Sequence, residues 1–344
     1  MVEAICEEIN LQKSYLPDSP LETIYLGGGT PSLLNPSELE EIFAQINKHF
    51  SVDSQAEITL EANPEDLKFE YLKALKSLGI NRLSIGIQSF QEKNLPYLNR
   101  NHSASDSLNC IQQAQAIGFD HISLDLIYGI PGNSLADLEA DLQCAISSKV
   151  DHISAYSLTI EPKTVFGIQK KKGSFQEIEE DMMSDSFVLV RKRLTEAGFD
   201  DYETSNFAKN QRYSRHNTSY WNQEPYLGIG PSAHSFNGTS RQWNIAKNGL
   251  YIKSIGEGKI PAEIEILSPE NKLNEYLMTR LRTAWGIDLN EVKSAYQAIN
   301  REFPQVAVNE WIQNGLAVLE KNQLKLIGPG KLMADKLASD LFVV

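Results

Sequence analysis

Apolar residues recur along this chain with two periods, and the switching between them outlines a fold. Five short stretches alternate apolar and polar positions: ETIYLGG, EITLEAN, RLSIGIQS, HISLDLIYG and HISAYSL. A period of two belongs to a strand, whose successive side chains point to opposite faces. Between these stretches lie amphipathic segments with helix punctuation. Asn35, Pro36 and Glu38 supply an N-cap, a proline at the first helical position and an acid at the third. Asn63, Pro64 and Asp66 repeat that device. Gly79, Gly118 and Gly198 stand where helices should end in left-handed caps. Serial strand–helix units from Pro20 to about Ser205 predict an α/β fold with a parallel sheet, either a barrel or a doubly wound sheet.

The faces of these strands narrow the choice. Ile58 and Leu60 oppose Thr59 and Glu61; Leu83, Ile85 and Ile87 oppose Ser84, Gly86 and Gln88; Ile122, Leu124 and Leu126 oppose Ser123 and Asp125. Strands buried between helices on both sides are normally apolar on both faces. One apolar and one polar, small face predicts a barrel with helices outside and a polar ligand within. Polar residues satisfied inside a packed barrel are the alternative.

From about Ser205 to Pro261 the pattern turns to aromatic- and glycine-rich loops, including RYSRHNTSYWNQEPYLGIGPSAHSF. Helical periodicity returns after Pro269, in NKLNEYLMTRLRTAW and LNEVKSAYQAI. VAVNEWIQNG then leads into a hairpin that turns at Lys321-Asn322, and a last helix runs through Leu341. Three consecutive parts follow: 1–205, a barrel; 206–262, a connecting region; and 263–344, a smaller α-rich, winged-helix-like domain.

Composition excludes more than it selects. A net charge of -13 argues against a nucleic-acid partner, because phosphate binding needs a basic surface. No apolar run is long enough to span a membrane, and the acidic, helix-like start is not a signal peptide, so a cytoplasmic protein is expected. Cys6, Cys110 and Cys144 form no close-spaced metal motif.

Candidate chemistry gathers at strand ends. GGGTP, Gly27 to Pro31, follows a strand and precedes a capped helix, so its backbone N–H groups can approach a ligand closely. It has neither dinucleotide-fingerprint spacing nor the lysine of a phosphate loop. Glu61, Gln88 and Asp125 lie on the polar face towards the C-terminal ends of three successive strands, where parallel barrels bind ligands. Carboxylates there suit ribose hydroxyls or an amino group.

Together GGGTP, LEANPEDL, GINRLSIGIQSF, LNRNHSA and SLDLIYGIPG resemble the radical S-adenosylmethionine (SAM) family that contains oxygen-independent coproporphyrinogen III oxidase and the heme chaperone HemW. The resemblance implies a partial (β/α)6 barrel, incomplete at its N-terminal edge, followed by the α-rich domain. It also implies SAM contacts from Gly28, Gly29 and Thr30, ribose contact from Glu61, and further contacts from Gln88, Arg100 and Asp125. RHNTSYW matches the His-Asn-x-x-Tyr-Trp stretch of the chaperone branch, which implies heme binding at His216 with Tyr220 and Trp221 packing the porphyrin. Arg212, Arg215 or Arg241 would meet the propionates. A histidine hydrogen-bonded in a loop among core aromatics is the plainer reading.

The chain departs from the family in one respect. The family's Cys-x3-Cys-x2-Cys loop precedes its first helix, and this sequence begins at that helix. A start codon read late, a trimmed chain and a homologue that has lost the loop are the alternatives, with the late start preferred. The expected function is that of a heme chaperone delivering heme to acceptor hemoproteins, respiratory ones among them, with membrane contact only through an acceptor. A [4Fe-4S] cluster is expected only in a full-length form, and radical chemistry is not expected of the chain as given. The alternatives are the oxidase, or a cluster-less homologue without catalysis.

Overall fold

A computed structural model describes residues 1–173, 175 and 178–343. The chain opens with α1 (Val2–Leu11), β1 (Leu21–Leu26), α2 (Pro36–His49), β2 (Val52–Ala62), α3 (Phe69–Ser77) and β3 (Arg82–Gln88). It continues through α4 (Asn94–Tyr97), α5 (Ala104–Ile117), β4 (His121–Tyr128), α6 (Leu135–Ser147), β5 (His152–Ser157), α7 (Val165–Lys171) and α8 (Glu180–Glu196). Two short strands, β6 (Asp200–Asp201) and β7 (Asn206–Ala208), close this part.

These seven strands form one sheet in the order β1-β2-β3-β4-β5-β7-β6. β2, β3, β4 and β5 are parallel, while β7 runs antiparallel to both β5 and β6. Through β5 the spatial order follows the sequence order without reversal. That is the topology of a barrel; a doubly wound sheet would switch direction. The barrel expected from the strand faces is present, and it is partial, as the family resemblance implied.

The chain divides into two compact units, and the division falls within β1 and β2. One unit holds Tyr25–Leu33 and Ile58–Tyr213. Its strands bury Leu60, Leu83, Ile85, Ile87, Leu124 and Ile153 completely, and its helices bury Leu72, Leu75, Ala114 and Leu142 as fully. Each such side chain contributes about 1.5–3 kcal/mol through removal from water. The opposite face carries a hydrogen-bonded polar series. Ser84 Oγ donates to Asp125, Ser123 Oγ meets His152 Nδ1 at 2.7 Å, and His152 Nε2 meets the Tyr202 hydroxyl at 2.8 Å.

Helix ends follow the sequence signals closely. Asn35 makes a full capping box with Glu38, and Gly118 closes α5 in the left-handed conformation. Gly79 and Gly198 also have positive φ. Asn63 differs from expectation. Residues Pro64–Asp66 form only a single 3-10 turn without a side-chain cap, and α3 starts later, at Phe69. The reason is competition: the Asn63 side-chain oxygen accepts a bond from Arg100 Nη1 at 3.0 Å.

The second unit holds Met1–Ile24, Leu34–Glu57 and everything from Ser214 onward. Its remaining elements are α9 (Arg215–Trp221), β8 (His234–Phe236), β9 (Ser240–Asn244), α10 (Asn248–Gly256), β10 (Ala262–Ile266), α11 (Pro269–Arg280), β11 (Ile287–Asp288), α12 (Leu289–Ala298) and α13 (Gln305–Gln313), then β12 (Ala317–Glu320), β13 (Gln323–Leu326), α14 (Pro329–Leu332) and α15 (Ala334–Asp340). The stretch expected as loops therefore contains two helices and strands β8 and β9, which β10 joins just beyond it in an antiparallel sheet ordered β10-β9-β8. Near the C-terminus, Leu277, Leu281, Ile287, Val292, Trp311, Leu324 and Leu337 belong to one core. The β12–β13 hairpin turns at Lys321 and Asn322, both with positive φ, as a tight two-residue turn requires.

Candidate functional site

Strand ends in the barrel unit bring several expected SAM residues together. Glu61, one residue from the end of β2, accepts the Tyr25 hydroxyl at 2.6 Å and the Gly28 N–H at 3.1 Å. That carboxylate ties the glycine loop to β2. Gly28 and Gly29 have φ of +73° and +64°, with open space where side chains would stand. An L residue is strained in that conformation, so glycine is needed for the backbone itself. Thr30 sits between these glycines and a single 3-10 turn, where its carbonyl accepts Leu33 N–H at 3.1 Å.

Gln88 ends β3 with φ of 67°, an uncommon conformation for a non-glycine residue. The β3–β4 register is irregular between Ile85 and Gln88. Gly86 leaves room for the bent side chain, since a Cβ there would come within 2.8 Å of Gln88 Nε2. Arg100 lies in the loop after α4 and is placed against Asn63. Two residues that the sequence analysis passed over join this group. Burial pushes the Tyr25 and Tyr156 hydroxyls up, and nearby charge adds to this, from Glu61 and then Asp125 for Tyr25 and from Asp125 for Tyr156. Their signal was parity: Tyr25 shares a face with Thr23, and Tyr156 shares one with Ser154.

Asp125 is in the middle of β4, not at its end. Burial pushes its carboxyl up to about 7 and the Glu61 charge adds to this, while bonds from Ser154 and Ser84 and the charge of Arg82 pull it down. A raised folded-state value means the native protein holds a proton that the unfolded chain releases. The resulting stability is present at low pH and is lost as pH rises through about 7. Asp125→Asn removes the titration. Relative to wild type the variant should gain roughly 1–2 kcal/mol between pH 6 and 8.5. Urea unfolding at both pH values checks this, and a gap that does not change with pH would contradict the assignment.

His216 lies on α9 of the other unit, so the RHNTSYW stretch is a helix and not the loop expected. A local cap and a long-range one together are the reason. Ser214 Oγ accepts Asn217 N–H, and the Glu57 carboxylate accepts the N–H groups of Arg215 and His216 at 3.1 and 3.0 Å. His216 Nδ1 is 3.1 Å from the Thr23 hydroxyl. Burial lowers its pKa to about 4 despite the opposing effect of Glu57, so the imidazole is neutral at physiological pH. Its ring meets Tyr220 edge-on at 4.9 Å, and Tyr220 meets Tyr226 in the same way at 4.6 Å. The buried Trp221 indole N–H has no hydrogen-bond partner among the described residues, and neither has the Thr218 hydroxyl. Unpaired buried donors are costly, and they suit a site that a ligand completes.

The three arginines considered for propionates already have partners. Arg215 pairs with Glu22 and the Gln55 carbonyl, Arg212 with Asp151 and the Asp120 carbonyl, and Arg241 with Glu275. Cys6, Cys110 and Cys144 are unpaired thiols on three different helices. Among the described residues no group of three His, Cys, Asp or Glu side chains is placed to hold a metal ion. The thiols present therefore do not fit a three-cysteine cluster. No described helix is long and apolar enough to cross a membrane.

Comparison with known proteins agrees with this geometry. The Radical SAM superfamily profile matches residues 4–145. Over 335 residues the chain is 35% identical to the heme chaperone HemW of Bacillus subtilis, covering 96% of this chain and 88% of that one. The Mycobacterium tuberculosis HemW is 33% identical over 339 residues, covering 98% and 85%. The structure of coproporphyrinogen III oxidase (HemN) from Escherichia coli matches 99% of this chain and 82% of that one, with a TM-score of 0.84. At 18% identity that likeness speaks to fold alone. By the identity and coverage of its relatives, this chain belongs to the HemW family of the radical SAM superfamily.

Proposed function

We propose that this chain binds heme and hands it to acceptor hemoproteins, with α9 as the heme site and His216 as the axial ligand. The observation that carries this reading is the state of the imidazole. It is neutral, and one ring nitrogen is fixed by the Thr23 hydroxyl. Axial ligation requires a neutral imidazole, and a partner on the other nitrogen fixes its orientation. Tyr220 and Trp221 would cover the porphyrin, and the unpaired Trp221 N–H would donate to the cargo. The name shared by the curated relatives, heme chaperone HemW, points the same way.

SAM is assigned to the glycine loop, with Gly28, Gly29 and Thr30 against its methionine part and Glu61, Gln88, Arg100 and Asp125 around the remainder. Open space over Gly28 and Gly29 and the Glu61 bond that fixes the loop support this. In this superfamily SAM bound to a [4Fe-4S] cluster supplies a radical. The cysteines of these 344 residues do not fit that cluster, so SAM binding alone is proposed for the glycine-loop residues. Glu61→Ala removes the acceptor of both Tyr25 and Gly28 and should weaken SAM binding about five-fold or more, since such bonds contribute roughly 0.5–3 kcal/mol. Calorimetry giving equal affinities would contradict the placement.

The chaperone reading is tested by following heme from the loaded chain to an apo-hemoprotein in a stopped-flow spectrometer. Direct handover gives a rate that rises with acceptor concentration. A rate independent of the acceptor would mean passive release and would contradict the reading. Loss of two propionate carboxyl groups from coproporphyrinogen III as carbon dioxide, read by mass spectrometry of the product, would replace it with the oxidase.

A further inference from the structure

Strand β10 is the edge of the three-stranded sheet and reads Ala-Glu-Ile-Glu-Ile. It pairs with β9 in unbroken antiparallel register, from Ala262 opposite Asn244 to Ile266 opposite Ser240. The bonds flanking this register fix its phase. Ile245 N–H donates to the Pro261 carbonyl at 2.8 Å, and Leu267 N–H donates to the Thr239 carbonyl at 3.0 Å. Bonded pairs recur at every second residue of an antiparallel ladder. Residues 261, 263, 265 and 267 therefore turn their backbone groups towards β9, and those of Ala262, Ile264 and Ile266 face outward.

The side chains alternate in step. Ile264 and Ile266 share one face and are 66% and 76% exposed, while Glu263 and Glu265 occupy the other and are exposed as well. Neither glutamate makes an ion pair among the described residues. Natural edge strands are protected by bulges, prolines or charged side chains, lysine above all; the charges here, Glu263 and Glu265, are acidic and repel only an acidic strand. Here the register has no bulge, no lysine is present, and proline occurs only at the boundary, as Pro261.

We propose that the outer edge of β10 is a docking site for an extended segment of a partner protein, which adds to this sheet as a fourth strand. Its backbone would pair with Ala262, Ile264 and Ile266. Apolar side chains would lie beside the two isoleucines, and lysines or arginines beside Glu263 and Glu265. Charge selects this occupant over a second copy of the chain. Fully overlapped two-fold pairing about Ile264 would set Glu263 opposite Glu265 twice, between molecules that each carry a net charge of -13. Like charges directly opposite one another destabilise a sheet, whereas opposite charges favour it. Strand addition of this kind draws affinity from main-chain bonds and specificity from alternate side chains.

The test uses a capped, fluorescent peptide alternating lysine and valine over about seven residues, with fluorescence anisotropy as the readout. The whole chain should bind it saturably, and a peptide N-methylated at alternate residues should lose binding, because its backbone cannot pair. Ile264→Pro removes only an outward N–H and should weaken binding about ten-fold, with hemin binding unchanged. Glu263→Lys with Glu265→Lys should transfer the preference to a glutamate–valine peptide. The N-methylated arm leaves the protein untouched, so it decides the matter even if Ile264→Pro misfolds. Equal binding of the methylated peptide, or no saturable binding of the parent, overturns the proposal. A wild-type dimer that Ile264→Pro converts to monomer would also overturn it, by making the second copy the occupant.

Discussion

Glu8→Ala is expected to destabilise the unit that contains it by about 3–5 kcal/mol, because it strands several buried neutral donors at about 1–3 kcal/mol each. Glu8 is fully buried on α1. Its carboxylate accepts Gln12 Nε2 at 2.8 Å, Gly230 N–H at 2.8 Å, Asn244 Nδ2 at 2.6 Å and the Tyr251 hydroxyl at 2.5 Å. Four donors from the first helix, the GIGPSAH turn, β9 and α10 thus converge on two oxygens. Alanine would leave Gln12, Gly230 N–H and Tyr251 without that acceptor in a buried space, while Asn244 Nδ2 would keep its bond to the Gly230 carbonyl at 2.9 Å. The apolar neighbours would lose little, because Ala4, Tyr251 and Ile255 keep their own packing. Glu8→Gln keeps the shape and one acceptor but turns an NH2 towards donors, so it should fall between wild type and alanine. Denaturant melts monitored by tryptophan fluorescence check the order. A loss below about 1 kcal/mol for alanine would mean that solvent replaces the carboxylate.

The second large effect concerns heme. His216→Ala should weaken heme binding by roughly 10–100-fold, the range in which perturbing a metal ligand's environment changes affinity. Because burial holds the imidazole near a pKa of 4, the wild-type ligand should remain competent at pH 6, where an ordinary histidine is largely protonated. The same shift makes His216 a source of acid lability. Its lowered folded-state value contributes stability above about pH 6.5 that is lost as pH falls towards 4. His152, buried between Ser123 and Tyr202, acts in the same direction. Tyr220→Ala and Trp221→Ala should each weaken heme uptake less than His216→Ala, because packing is lost and ligation is kept.

Elements with a clean period were legible from sequence. The alternation in RLSIGIQS and HISLDLIYG located β3 and β4, and Lys321-Asn322 marked the hairpin turn, because local sterics decide both. The polar inner face was legible for the same reason. Features decided over long range were not. Beside the local Ser214 cap, the N-terminus of RHNTSYW is held by Glu57, 158 residues before Arg215. Asn63 carries a local cap signature, yet Arg100 captures its side chain. Glu8 reads as a solvated charge on an acidic helix, although it falls four residues after Ala4 on the buried stripe. Tyr25 and Tyr156 carry no motif, and their place in the site depends on neighbours across the sheet.

The most direct measurement of the central claim is a hemin titration of the wild-type chain beside His216→Ala, followed at the Soret band at pH 6 and 7.5. The account predicts a saturable band for wild type with nearly the same affinity at both pH values, and a shifted, weaker band for His216→Ala. Superimposable spectra and affinities for the two proteins would contradict the assignment of His216 as the heme ligand.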